Sequence, residues 1–104
     1  MEIRFVDAGS ISESHGLQGP IAAFMSKELC RMSFQLVRLE VYLNQEHDQG
    51  GGKQRKCCIL EAHLMDCEPI TIASEASCYT QAVNTAIRKL KIYYISRFGW
   101  VCNN

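Results

Sequence analysis

The residue types in this chain that most readily suggest chemistry are three histidines, six cysteines and a run of glycines ahead of a lysine. A Ser-His or Cys-His pair would have to be assembled from His15, His47 and His63. No G-x-S-x-G turn and no H-E-x-x-H helix accompanies any of them. Cys57, Cys58, His63 and Cys67 invite a zinc reading, but adjacent strand residues point to opposite faces, which separates Cys57 from Cys58. His63 shares the face of Cys57, yet six residues of strand hold the two about 20 Å apart, far beyond metal-bond lengths. There is no C-x-x-C. Gly50-Gly51-Gly52-Lys53 lacks the Ser or Thr of a phosphate loop and leads into a strand, so it reads as a hairpin loop. Glu40 and Glu61 are expected to face each other across neighbouring strands on the open side of a sheet. A face without walls does not desolvate an acid, so they read as surface. The expectation is no catalysis, no metal, no cofactor and no small-molecule substrate.

The elements that would position these residues are legible from periodicity. Glu2 to Val6 reads as a first strand with Ile3 and Phe5 on one face. Ser10 and Glu13 have capping-box spacing, so a helix could start near Ser12, whereas Gly16, Gly19 and Pro20 argue for a later start or a kink. From Pro20, Ile21, Met25, Leu29 and Met32 recur at helical spacing, with Lys27 and Arg31 off the stripe. Val37, Leu39, Val41 and Leu43 alternate with Arg38, Glu40, Tyr42 and Asn44 as a half-buried strand. A polar loop from Gln45 to Gly52 follows. Then Cys58, Leu60, Ala62 and Leu64 read as the buried set of a third strand. Asp66 to Pro69 makes a turn, and Ile70 and Ile72 begin a fourth strand. Ser77 reads as the N-cap of a last helix whose one face carries Tyr79, Ala82, Val83, Ala86, Ile87, Leu90 and Tyr94, with Gly99 as its stop. The order is β-α-β-β-β-α, an α+β fold in which two helices pack on one face of a four-stranded sheet.

At 104 residues the chain is expected to be a single domain, 1–104, with one core. An apolar share of 47% and a charged share of 21% exclude global disorder. The N-terminus lacks a signal-peptide layout, and no apolar run approaches the roughly 20 residues that cross a bilayer. We therefore expect a cytoplasmic protein without a membrane partner, its cysteines kept as thiols.

Eleven basic residues balance eleven acidic ones, so only an uneven distribution could create affinity for a polyanion. The distribution is uneven. From Ala76 to Asn104 there is no acidic residue, while Arg88, Lys89, Lys91 and Arg97 fall there. Lys89 and Lys91 flank the apolar stripe and Arg88 points away from it; Lys27 and Arg31, four apart, share a side of the first helix. Helices packed side by side would join these into one basic face. The competing reading is an ordinary solvated helix surface. Lys53, Arg55 and Lys56 put three more cations at the entrance of the third strand, suited to touching phosphate or to keeping an edge strand soluble. Ile92 and Ile95 project outward near Arg88 and suggest a partner surface, unless the helix ends before them.

Val37-Arg38-Leu39-Glu40-Val41-Tyr42-Leu43, a Gly-rich loop, and Lys56-Cys57-Cys58-Ile59-Leu60-Glu61-Ala62-His63-Leu64 together resemble the ribosome hibernation-promoting factor and ribosome-associated inhibitor family. Pro69-Ile70 with Ala73, then Tyr79-Thr80-Gln81-Ala82-Val83 and Ala86-Ile87-Arg88-Lys89-Leu90, continue the likeness in order from about Arg38 to Phe98. The resemblance implies a fold similar in shape to double-stranded-RNA-binding domains. It also implies binding to ribosomal RNA of the small subunit near the decoding region, where family members silence idle ribosomes. Under that resemblance Lys89 matches an RNA-contacting position, Lys27 and Arg31 match the first helix's basic positions, and Arg88 and Lys91 stand where members vary. Family members often carry Asp where Asn44 stands and lack a pair such as Gly19-Pro20. With the chain ending near the last helix, the expectation is the short form, and self-association is left open. The alternative is a protein-interaction module of the same fold without ribosome binding, using the open sheet face or Ile92 and Ile95.

Overall fold

The computed structural model describes residues 2–6, 16, 18–32, 35–47 and 54–98. The first strand, β1 (Glu2–Val6), turns Ile3 and Phe5 toward the core and Glu2 and Arg4 outward. It pairs in parallel with β2 (Leu36–His47), from Glu2 opposite Arg38 to Val6 opposite Tyr42. Parallel neighbours need a crossover rather than a tight turn, and helix α1 (Gln18–Glu28) supplies it. The described helix begins at Gln18, and Pro20 occupies its first turn, where its missing N–H has no helical partner to lose. The capping-box pair Ser10 and Glu13 lies outside the described residues. Ile21, Met25, Leu29 and Met32 are all buried, the last of them in a 3₁₀ turn, Cys30–Met32.

Strands β2, β3 (Gln54–Leu64) and β4 (Ile70–Ala76) form an antiparallel meander, and the sheet order is β1-β2-β3-β4. Leu39, Val41 and Leu43 of β2 and Cys58, Leu60, Ala62 and Leu64 of β3 are buried toward the helices. Val37 departs from the expected alternation. The pairing with β3 shifts register between Leu36 and Arg38, so Leu36 takes the core position and Val37 is 53% exposed. An irregularity of this kind moves one side chain to the other face without disturbing the remaining register. In the turn between β3 and β4, Asp66 adopts φ 60°, a left-handed conformation that Asp tolerates better than most residues.

Helix α2 (Tyr79–Phe98) lies across β3 and β4 and beside α1, burying the seven-residue face read from the sequence. Full burial of a side chain such as Leu90 or Ile87 contributes about 1.5–3 kcal/mol, and this stripe anchors the helix. Ser77 is not the residue that opens it. The Cys78 carbonyl accepts the first helical bond, from the Ala82 N–H at 3.1 Å, and the Ser77 hydroxyl instead approaches Gln81 Oε1 at 3.3 Å. Gly99 lies outside the described residues. Buried Ser74 of β4 donates to the Ala82 carbonyl at 2.5 Å, tying sheet to helix, and the Tyr94 hydroxyl donates to Gln35 Oε1. The arrangement is the expected α+β fold, with both helices on one face of the sheet. Among the described residues, no helix is long and apolar enough to cross a membrane.

Candidate nucleic-acid interface

The basic residues of the helical layer divide according to which flank of α2 they occupy. Two residues of helix turn a side chain by about 200°, so Lys89 and Lys91 leave α2 on opposite sides. Lys91 reaches toward α1 and pairs with Glu28, Nζ to Oε1 at 2.5 Å. Lys89 reaches the other way, over β4, where its ammonium donates to the Ala73 carbonyl at 2.9 Å. The single basic face expected from the sequence is therefore split by the width of α2. The physical reason is that a helix lying on a sheet has two flanks, and cations bordering its apolar stripe end up one on each.

On the α1 side the charges do converge. Lys27, in the last turn of α1, Arg31, in the 3₁₀ turn, and Lys91 line one interhelical cavity of about 330 Å³ with Glu28, Cys30 and Ile95. Glu28 was not foreseen as part of this group. Its carboxyl is held below the usual carboxylate range by the hydrogen bond from Lys91, then by that ammonium's charge, with Lys27 adding to the effect. One carboxylate thus offsets part of a three-cation groove. Its position eight residues after Pro20 on a helix carrying Lys27 was the available signal. Lys27 also sits where the partial negative charge of the helix C-terminus favours a cation, an attraction that requires no ligand. Arg88 stands on the outward ridge of α2, exposed, in line with Ile92 at 61% exposure and Ile95 at 46%. The helix runs past both isoleucines, so they face outward as read.

The cations at the start of β3 do not join this layer. Lys56 has the parity of Cys58 and Leu60 and so points to the core side, a signal already present in the alternation. It is 8% exposed, donates to Gln45 Oε1 at 2.8 Å and lies 5.2 Å from the centre of the Tyr79 ring. A buried ammonium engaged in this way is a structural feature and not a phosphate contact. Arg55 has the opposite parity, on the face away from the helices, and pairs with Glu75 at 2.9 Å. Lys53 lies outside the described residues.

That open face carries a second cluster. Glu40 and Glu61 are direct cross-strand partners, as expected, and Arg38 and His63 form the next pair on the same face. His63 Nε2 lies 3.2 Å from Glu61 Oε1 and 3.6 Å from Glu40 Oε1, while Arg38 Nε lies 3.1 Å from Glu40 Oε2. The Glu40 carboxyl is held below the usual range, first by a hydrogen bond with Glu61, then by the charges of Arg38 and His63. The thiols offer little reactivity where they are buried: burial, aided by neighbouring Cys57, pushes Cys58 up to about 12.

No protein-family model matches the sequence, and no curated protein matches it. Solved structures do match the fold. A ribosomal subunit interface protein from Coxiella burnetii superposes with a TM-score of 0.66 at 14% identity, covering 95% of this chain and 98% of that one. The N-terminal domain of Protein Y from Thermus thermophilus gives a TM-score of 0.57, also at 14% identity, covering 89% and 94%. These likenesses establish the shared fold, the one that the resemblance in the sequence implies.

Proposed function

We propose that this chain associates with the ribosome, laying its helical layer against ribosomal RNA of the small subunit, and holds idle ribosomes inactive. The observation that carries the reading is a fold shared end to end with a ribosomal subunit interface protein, in a chain whose helical layer concentrates Lys27, Arg31 and Lys91 in one groove. Arg88 on the ridge extends that cationic strip outward, and Lys89 gives a second contact point on the β4 flank. Phosphates a few ångströms apart along a double-stranded backbone suit two separated rows of cations as well as one continuous patch. The role is occlusion: a folded domain seated where RNA and ribosomal ligands must pass needs no reacting group. The cytoplasm is where such a partner resides.

Co-sedimentation with small subunits across a salt series tests the proposal. The protein should travel with the subunit at low salt and leave it as salt rises. Charge reversal of Lys27 together with Arg88 should abolish association, while Arg55→Glu, on the face away from the helices, should leave it intact. Absence from the subunit fraction at low salt would instead favour the protein-interaction reading. That reading rests on exposed Ile92 and Ile95, two aliphatics on the outward side of α2, of which Ile95 lines the same groove.

A further inference from the structure

Two carboxylates directly opposite each other on neighbouring strands repel unless something positive lies between them. Glu40 and Glu61 are such a pair, and the neighbour that completes their surroundings is an imidazole. The three side chains each offer one ligand atom, and these atoms all lie within 4.8 Å of one another. Donors around a tetrahedral ion with bonds of about 2.0–2.1 Å are spaced about 3.3 Å apart. The separations from His63 Nε2 to the two carboxylates, 3.2 and 3.6 Å, bracket that edge.

We propose that Glu40, Glu61 and His63 form a binding site for a divalent transition cation, Zn²⁺ in particular, on the open face of the sheet. Glu40 divides its work between its two oxygens. Oε1 turns to the site, with the Tyr42 hydroxyl 3.4 Å away, and Oε2 faces Arg38 Nε. Arg38 therefore holds the ligand from behind, its present contact being with the oxygen that the cation does not use. Its other approach, Nη2 to His63 Nε2 at 3.4 Å, is the one that yields when the imidazole takes a metal. Three protein donors leave the fourth position to water, and the side chains, 14 to 33% exposed, leave the ion a route in from solvent on the Glu61 side.

The surroundings also select among cations. Around the site stand Arg38, Glu40 and Tyr42 from β2 and Glu61 and His63 from β3, with Arg4 of β1 opposite Glu40 and uncharged Thr71 of β4 opposite Glu61. Glu2, opposite Arg38 and paired with Arg4 at 2.9 Å, stands on the same face, so two guanidiniums lie among three carboxylates and Arg4 is already engaged. Ca²⁺ and Mg²⁺ need more oxygen donors than two carboxylates supply, whereas Zn²⁺ gains a bond to nitrogen. The ligands bind as carboxylates and neutral imidazole, so acidification displaces the metal.

Calorimetric titration of the reduced free protein with ZnCl₂ and separately with MgCl₂ tests the site, with CoCl₂ as a spectroscopic probe. One equivalent of Zn²⁺ should bind, Mg²⁺ should not compete, and Co²⁺ should give a visible tetrahedral band without a thiolate charge-transfer band. His63→Ala and Glu61→Gln should each weaken Zn²⁺ binding by about tenfold or more. His63→Gln serves as a second variant should His63→Ala disturb the fold. Replacing the exposed thiols, Cys30→Ser with Cys78→Ser, should leave that equivalent in place. Absence of Zn²⁺ binding, binding indifferent to His63 and Glu61, or a thiolate signature in the Co²⁺ spectrum overturns the proposal. The readout is made without ribosomes, on the face opposite the helices, so its failure leaves the ribosome reading untouched.

Discussion

Individual side chains in this protein take their character from the face they occupy more than from their type. Lys56 and Arg55 are neighbours in sequence, yet one is buried against Tyr79 and the other is exposed and paired with Glu75. The same holds for the thiols: Cys30 and Cys78 are exposed, whereas Cys58 is enclosed. Cys58 should therefore make stability fall in alkali. Its folded pKa, about 12, lies above the ordinary thiol value of 9.0, so the unfolded chain loses the proton first. The stabilisation is whole below about pH 9 and declines as pH rises through the folded value. Urea unfolding midpoints followed from pH 8 upward should fall more steeply for the native chain than for Cys58→Ala, although the variant starts lower because it leaves a small cavity. Raised Tyr42 and Tyr94 hydroxyls act in the same direction, so some alkaline decline persists in the variant.

Among the elements, β2 shows what a strand pattern can and cannot reveal. Four apolar residues at every second position implied one buried row, and the row is buried from Leu39 onward. The register shift beside Leu36 removes Val37 from it. Val37→Thr should accordingly change stability by no more than about 0.5 kcal/mol, as for an exposed position. Leu39→Ala, at a fully buried site, should cost about 2–5 kcal/mol. Chemical denaturation of both variants checks the pair, and similar losses would mean that Val37 packs into the core after all. The helices were more legible, because a stripe recurring every three or four residues over about 20 positions leaves little freedom in which face is buried. Helix ends were less so: whether Ser77 or Cys78 opens α2 depends on one backbone bond that no residue type dictates.

At the scale of the whole molecule, the proposed interface is a property of how α1 and α2 sit beside each other. Glu28 and Lys91 are 63 residues apart, and their pairing sets how much positive charge the groove presents. Glu28→Gln frees Lys91 and leaves Lys27 and Arg31 in place. Affinity for small subunits should rise, and the slope of log affinity against log salt should steepen by about 0.7–0.9, one additional phosphate contact. Sedimentation binding curves at several salt concentrations measure that slope, and an unchanged slope would remove the groove from the interface. Placed against the sequence-based expectation, Lys27, Arg31 and Lys91 come together in one groove of the helical layer, and Arg88 stands exposed on the ridge of α2. Lys89 is displaced to the other flank, and Lys56 and Arg55 leave the set.

By itself the sequence determined the element order, the buried stripe of each helix, the alternation of β3 and the absence of acidic residues after Glu75, since these follow from local periodicity and composition. Only the tertiary structure decided that Glu28 faces Lys91, that Lys89 turns over β4 to meet the Ala73 carbonyl, and that His63 closes on Glu40 and Glu61. Periodicity specifies which way a side chain leaves its own element. Which neighbour it then meets depends on the register of strands and the seating of helices, and those are set by packing of the whole core.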